Sequence, residues 1–286
     1  MTRARARHLA GAVLLLGLAA AVLAPWLAPQ DPCDLAALDL MESGLPPVWL
    51  EGGVPAHLLG TDDQGRDLLS ALLYGTRLSL AVCALAVGLS LLLGVGIGLL
   101  AAQAGGWIDA LLMRLCDVML SFPPLLVAML TAGIGRLLWP QAGVVLDFGV
   151  VVLAIGLTGW VPHARTVRAA AGVELGREHV LAARVIGVAP WRILRRHVLP
   201  HVLAPVRVLA TLQVGSAVLT EATLSFLGLG APPTVPTLGT LVRTGHDHLL
   251  SGQWWLVACP GAVLVLLVLA AQALGDALQG ETGRDA

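Results

Sequence analysis

A series of apolar runs, each close to the length needed to cross a bilayer, constrains this chain more than any other feature. The runs cover residues 9–27, 78–102, 118–135, 148–162, 200–229 and 254–274. A transmembrane helix needs roughly 20 residues to cross about 30 Å of hydrocarbon. Since 57% of the residues are apolar and 12% are charged, we expect an all-α polytopic membrane protein with about six transmembrane helices.

The first apolar run follows "RARARH" and could be mistaken for a cleaved signal peptide. It is long for such a peptide, and Pro25 follows "LAAAVLA", where a cleavage site would be sought. Residues 1–30 are therefore interpreted as a transmembrane anchor. We expect residues 31–75 to form an extracytoplasmic loop, residues 76–276 the main transmembrane domain and residues 277–286 a cytoplasmic tail.

The arginines are distributed unevenly between the two sides of the predicted membrane domain. Twelve fall in segments on the N-terminal side, and only Arg66, Arg77, Arg136 and Arg243 fall on the other. Loops rich in arginine remain in the cytoplasm, so both termini are predicted to be cytoplasmic. The chain contains no lysine, which excludes a phosphate-binding loop of the G-x-x-x-x-G-K-[ST] type.

The segment from Glu178 to Pro200, "EHVLAARVIGVAPWRILRRHVLP", is rich in arginine and lies between two apolar runs. Its periodicity predicts one short helix that ends near Gly187 and a second that begins at Pro190. Trp191 and Leu194 are expected on the apolar face of the second helix. Two alternative explanations of this pattern remain. The arginines could reflect only the general excess of basic residues in cytoplasmic loops, or the segment could be a basic amphipathic helix that lies on anionic lipid.

"AARVIGVAPWRILRRHVLP" resembles the cytoplasmic signature of ABC-importer permeases. Three further segments, "HLLGTDDQGRDLLSALLYGTRLSL", "RLCDVMLSFPPLLVAML" and "EATLSFLGLGAPPTVPTLG", together with "WWLVACPG", are similar to the permease subunits of dipeptide, oligopeptide and nickel ABC importers. These motifs follow in order from about His57 onward. Leu181, His197 and Leu238 depart from the residues common in that family.

The resemblance implies a type I ABC importer permease fold and a non-catalytic transport subunit. It also implies a related second permease, two ATPase subunits that bind ATP and magnesium, and an extracytoplasmic binding protein. No cofactor or metal in this chain itself and no nucleic-acid partner are expected. Residues 174–198 would contain the coupling helices, and the expected ATPase-coupling residues are Ala182, Ala183, Gly187, Pro190, Trp191, Arg192, Leu194, Arg195, Leu199 and Pro200.

Other polar or small residues within the membrane domain have more than one interpretation. Gly94 and Gly98 form a G-x-x-x-G pair that favours close helix packing. Glu221 is an ionisable residue in the fifth apolar run, which indicates a structural hydrogen bond, a buried polar network or a place on the substrate path. In "LGTDDQGRD", the residues Gly60, Thr61, Asp62, Gly65, Arg66 and Asp67 are expected to organise the external loop through charge pairing and turn capping.

The cargo is expected to be short peptides, because the predicted spans contain few imidazole or thioether ligands for a metal relay. A nickel or metal-chelate importer remains the alternative within the family. A proton-coupled secondary transporter that uses Glu221 is the alternative from another class.

His246, Asp247 and His248 invite a metal interpretation, but three adjacent ligands cannot all face one ion on regular structure. The chain has no H-E-x-x-H or G-x-S-x-G motif of a hydrolase.

Overall fold

The structure is a computed structural model that describes residues 2–34, 38–139, 143–232 and 234–282. It consists of helices connected by short turns and one long loop. In chain order, the α-helices within these ranges are α1 (Thr2–Leu27), α2 (Leu68–Ala104), α3 (Gly106–Leu120), α4 (Pro124–Leu138), α5 (Gly143–Leu175), α6 (Glu178–Val185), α7 (Pro190–Ile193), α8 (Leu199–Phe226), α9 (Leu238–Asp247) and α10 (Trp255–Thr282). This all-α architecture agrees with the class expected from the apolar runs.

Four helical segments in the described part of the chain are long and apolar enough to cross a membrane: Leu68–Ala104, Gly143–Leu175, Pro190–Phe226 and Trp255–Ala277. The bent pair formed by α3 and α4 gives a fifth if it is counted as one span. In α1, the part Leu15–Leu27 is apolar but too short to be counted as a span. The structure does not describe the side chains at positions 2–10, 13 and 14. The described residues therefore support four or five of the six expected spans.

The third expected span is broken into two helices. α3 and α4 meet at an angle of 91°. The cause is local, because Pro123 disfavours helix at Phe122 and Pro124 suits the first turn of a new helix. The sequence predicted a span over residues 118–135, and the structure adds a sharp bend within it.

α2 packs along most of α5 and forms the most extensive helix pair in the structure. Two glycines allow this close approach. A Cβ atom at Gly94 would lie 2.4 Å from the Cβ of His163, and one at Gly98 would lie 2.6 Å from the carbonyl oxygen of Ala164. The expected packing role of this G-x-x-x-G pair is thus supported by its surroundings, because only glycine leaves room for the neighbouring helix.

We predict that Gly98→Ala lowers the stability of the protein, whereas Gly96→Ala does not. A methyl group at position 98 must push α2 and α5 apart, which costs about 1–3 kcal/mol for an overpacked interface. A Cβ at Gly96 meets nothing within 4 Å, so Gly96→Ala is a matched control in the same helix. The thermal midpoint of the purified variants in detergent is the measurement, and equal midpoints for the two variants would contradict the packing role.

Candidate functional site

The arginine-rich segment folds into a sharp hinge between two helices. α6 ends at Val185, and Gly187 adopts a φ of +81°, in the left-handed region that favours glycine. Pro190 occupies the first turn of α7, where its missing N–H removes no helical hydrogen bond. Both boundaries agree with the helix ends predicted from the sequence.

The second helix of the hinge extends beyond residues 174–198, where the coupling helices were expected. α7 continues through a π-helical turn, Leu194–Val198, into α8, so that one helical segment runs from Pro190 to Phe226. In the π turn the N–H of Leu199 donates to the carbonyl of Leu194. Such a wider turn accommodates the ring of Pro200, which would clash with a carbonyl four residues earlier in a regular helix.

The apolar face of this hinge differs from the expected one. Leu194 is buried with Ile193 and Val198 in a cluster against α5, whereas Trp191 is 71% exposed. Of these two residues, both expected on the apolar face and among the ATPase-coupling residues, only Trp191 is therefore available at the surface. The apolar pattern groups these two side chains but does not show that neighbouring helices cover Leu194 and leave Trp191, in the first turn of α7, uncovered.

The exposed residues of the hinge form what we call the hinge surface. It consists of the apolar side chains of Val185, Ile186 and Trp191 and the exposed arginines Arg184, Arg192, Arg195 and Arg196. The periodic pattern groups Ile186 with the buried Val180 and Ala183 and does not include Val185, but both Val185 and Ile186 are exposed at the end of α6. Of the other expected coupling residues, Ala183 is buried, Leu199 is half-buried, and Ala182, Gly187, Pro190 and Pro200 are exposed.

A buried carboxylate holds the base of the hinge together. The side chain of Glu174, near the end of α5, is only 4% exposed, and its Oε2 lies 3.0 Å from Nε of Arg177. Its Oε1 lies 3.3 Å from Nε2 of His179 on α6 and 3.8 Å from Nδ1 of His201 on α8. One carboxylate thus connects three helices at this end of the molecule, and the sequence analysis did not single it out.

The loop between α1 and α2 contains the "LGTDDQGRD" motif, and all six of its expected residues are buried. Asp62 accepts hydrogen bonds from the backbone N–H and from Nε of Arg66, at 2.9 and 2.6 Å. Gly65 has a φ of +75°, and a Cβ there would lie 2.1 Å from the carbonyl oxygen of Asp39. The structure thus contains the Asp62–Arg66 charge pair, in the interior of the loop and not on its surface.

Asp67 connects this loop to the membrane helix that follows. Its carboxylate caps the N-terminus of α2 by accepting from the N–H of Ser70 at 2.8 Å. The other oxygen lies 3.1 Å from Nδ1 of His57, whose Nε2 lies 3.1 Å from Glu42. Ionised carboxylates only accept hydrogen bonds, so both contacts are satisfied only when both ring nitrogens of His57 are protonated.

Glu221 lies in a buried polar network where α8 meets α2 and α9. The Ser225 hydroxyl donates to Oε1 of Glu221 at 2.8 Å, and the side chains of Ser79 and Thr237 interact with the same carboxylate. The N–H of Leu238 at the start of α9 donates to the Ser79 hydroxyl at 3.2 Å. The contacts with Ser79 and Thr237 favour the structural interpretation of Glu221, because they connect it to α2 and to the start of α9.

Comparisons with known protein families agree with this geometry. Residues 94–282 match the model of the family described as the binding-protein-dependent transport system inner membrane component. The chain belongs to this family. It is a membrane permease component of a transport system, as the sequence motifs indicated, and the match includes the hinge surface.

Relatives of known name extend the likeness beyond the residues that the family model matches. The chain is 40% identical over 268 residues to the di/tripeptide transport system permease protein DppC of Pseudomonas aeruginosa, covering 93% of this chain and 84% of that protein. It is 41% identical over 259 residues to the dipeptide transport system permease protein DppC of Escherichia coli K12, covering 91% and 82%.

A solved structure supports the fold class. The permease fold resembles that of a chain in an inward-facing structure of the MetNI methionine ABC transporter, with a TM-score of 0.58 and 21% sequence identity. The match covers 73% of this chain and 94% of that chain. The all-α type I ABC importer permease fold expected from the motifs is therefore confirmed.

We predict that the α1–α2 loop becomes less stable as the pH rises through the pKa of His57. Burial lowers the pKa of His57, but hydrogen bonds and charges from Asp67 and Glu42 outweigh it and raise the pKa overall. The stabilisation is complete below the pKa of an unfolded histidine, about 6.5, and is lost as the pH rises through the higher pKa of the folded protein.

Limited proteolysis of the loop in the purified permease, followed from about pH 6 to about pH 9, measures this change across the range in which a histidine titrates. Cleavage should accelerate with pH in the unmodified protein and depend much less on pH in His57→Gln, whose amide carries no titratable proton. The same pH dependence in both proteins would assign the effect to another group.

Proposed function

We propose that this chain forms half of the translocation path of an ATP-driven, binding-protein-dependent importer of short peptides. The observation that carries the proposal is the identity of about 40%, over more than nine-tenths of the chain, to permeases named for dipeptide or di/tripeptide transport. A relative from Brucella suis, a putative peptide transport system permease, is 37% identical over 280 residues. Agreement of this kind across nearly the whole chain favours peptides over nickel or a metal chelate.

In this proposal the chain itself hydrolyses nothing. Two separate ATPase subunits bind ATP and magnesium, and a related second permease supplies the other half of the path. An extracytoplasmic binding protein delivers the peptide to the side that carries the α1–α2 loop. The absence of lysine supports this division of labour, since a phosphate-binding loop of the usual type requires one.

The hinge surface is the proposed docking site for an ATPase subunit. It combines exposed apolar side chains with arginines, and such a mixture suits a protein interface in which apolar anchors give affinity and charges orient the partner. Gly187 forms the turn between α6 and α7 with a φ of +81°, and the exposed side chains of the hinge surface lie on both sides of this turn. The arginine asymmetry of the whole chain supports a cytoplasmic location for this surface and for both termini.

The proposed cargo predicts that uptake of labelled dipeptides and tripeptides into cells depends on this chain. A deletion strain should lose uptake, and expression of the chain from a plasmid should restore it, because no other subunit supplies this half of the path. Nickel accumulation measured in the same strains is the control. If the deletion strain lost nickel accumulation but kept peptide uptake, the cargo would be a metal and not a peptide, and the proposed importer function would still hold.

The proposed docking site predicts how a cysteine at position 192 reacts with a membrane-impermeant thiol reagent. In a background without the four native cysteines, Arg192→Cys should be labelled only after the membrane is permeabilised, and the bound ATPase subunits should slow the labelling. Met41→Cys, at a loop residue that is 91% exposed, is the matched control and should be labelled in intact cells. Labelling of position 192 in intact cells would reverse the topology, and unchanged labelling with ATPases bound would exclude docking there.

A further inference from the structure

A cavity of about 350 Å³ lies between α5 and α8. Its polar lining residues are Thr158 and His163 on α5 and Gln213, Ser216 and Thr220 on α8. Gln213, Ser216 and Thr220 are spaced three and four residues apart and so share one face of α8, while Thr158 and His163 line the cavity from α5. The volume falls within the range of small-molecule sites, roughly 300–1,000 Å³. Gln213 lies at the middle of α8, about 20 Å from either end of that helix.

Two side chains in this cavity bond to each other and leave two polar atoms unmatched. His163, 1% exposed, forms a hydrogen bond between its Nε2 and Oε1 of Gln213. Nδ1 of His163 and Nε2 of Gln213 are buried and have no hydrogen-bond partner in the described structure. Such unpaired groups are costly when they are buried.

The unmatched pair always consists of one donor and one acceptor. With the amide oriented as described, a neutral His163 donates from Nε2, which leaves Nδ1 as an acceptor and the Gln213 amide N–H as a donor. If the amide is turned over, Nδ1–H is the donor and the Gln213 carbonyl is the acceptor. A neutral group with one donor and one acceptor side by side, such as a peptide bond, complements either arrangement.

Pro162 adds an acceptor to the same face of α5. It lies inside the helix and lines the cavity. Because proline has no N–H, residue 162 cannot donate the helical hydrogen bond to the carbonyl of Thr158, another lining residue. The hydroxyls of Thr158, Ser216 and Thr220 donate to carbonyls of their own helices, so their oxygens also remain able to accept. The face therefore offers several acceptors and one or more donors but no full charge.

We propose that this cavity is a contact site for the main chain of a translocating peptide, with His163 and Gln213 as its specificity-determining residues. The proposal rests on the proposed function. In the structure His163 and Gln213 bond to each other. When α5 and α8 separate during transport, a peptide bond replaces that contact and satisfies the two unmatched atoms. Recognition through the main chain tolerates many side chains, which suits a carrier of peptides of mixed sequence.

The decisive experiment compares a dipeptide with its ester analogue, in which an oxygen replaces the amide N–H. Both are transported by the complete importer in proteoliposomes with saturating binding protein, and the ratio of their maximal rates is recorded. The unmodified protein should favour the amide by about fivefold, the effect of one net hydrogen bond. His163→Leu or Gln213→Leu should bring this ratio close to one.

The rate ratio separates substrate contact from a structural role. A variant that only weakens helix packing lowers the rates for amide and ester together and leaves their ratio unchanged. An unchanged ratio in both variants, or no discrimination by the unmodified protein, overturns the inference. Absence of transport of any dipeptide by the unmodified importer would instead refute the proposed peptide function.

A second measurement leaves His163 and Gln213 in place. In a background without native cysteines, Ser216→Cys in the cavity is compared with Leu219→Cys, which is exposed on α8 but does not line the cavity. During ATP-driven turnover, peptide should slow the reaction of a thiol reagent at position 216 by several-fold and leave position 219 unaffected. Equal rates at position 216 with and without peptide count against the site even where the leucine variants fail to fold.

Discussion

The close contact of α2 and α5 sets the position of everything else in the membrane domain. It depends on Gly94 and Gly98, which bring the two helices together without intervening side chains. Gly94 also makes room for the Cβ of His163, so that the imidazole reaches across α5 toward α8. The same helix continues to Glu174, which connects α5 to α6 and α8. One packing interface therefore positions both the cavity and the hinge.

The sequence predicted the features that depend on backbone chemistry and on long-range pattern. The helical class followed from the apolar runs, and the ends of the hinge followed from Gly187 and Pro190, whose conformational restrictions are local. The family followed from motifs distributed along the chain. The close-packing role of Gly94 and Gly98 also followed, because small residues at this spacing have few other uses in lipid.

Features that depend on tertiary contacts could not be predicted. The π turn joins α7 to α8, and no periodic rule anticipates one extra residue in a turn. Leu194 is buried by its contacts with the cluster on α5 and α6. The bend at Phe122 changed one expected span into two helices. Nothing in the spacing indicated that His163 meets Gln213, fifty residues away, or that Glu174 meets His201. Contacts of this kind arise only after the helices have packed.

The hinge surface and the cavity are parts of one helical segment. From Pro190 to Gln213 the chain advances about 35 Å at the rise of an α-helix, roughly the thickness of the hydrocarbon layer. Pro200, Pro205 and the π turn interrupt the hydrogen bonds of this segment, and an isolated helix with these interruptions would bend. Val198, Val202 and Val206 are all buried in the cluster with α5 and α6. Because side-chain packing supports the segment where its backbone is weakest, we expect any movement of the hinge surface to reach Gln213 through the packed unit of α5, α6 and α8 and not through α8 alone.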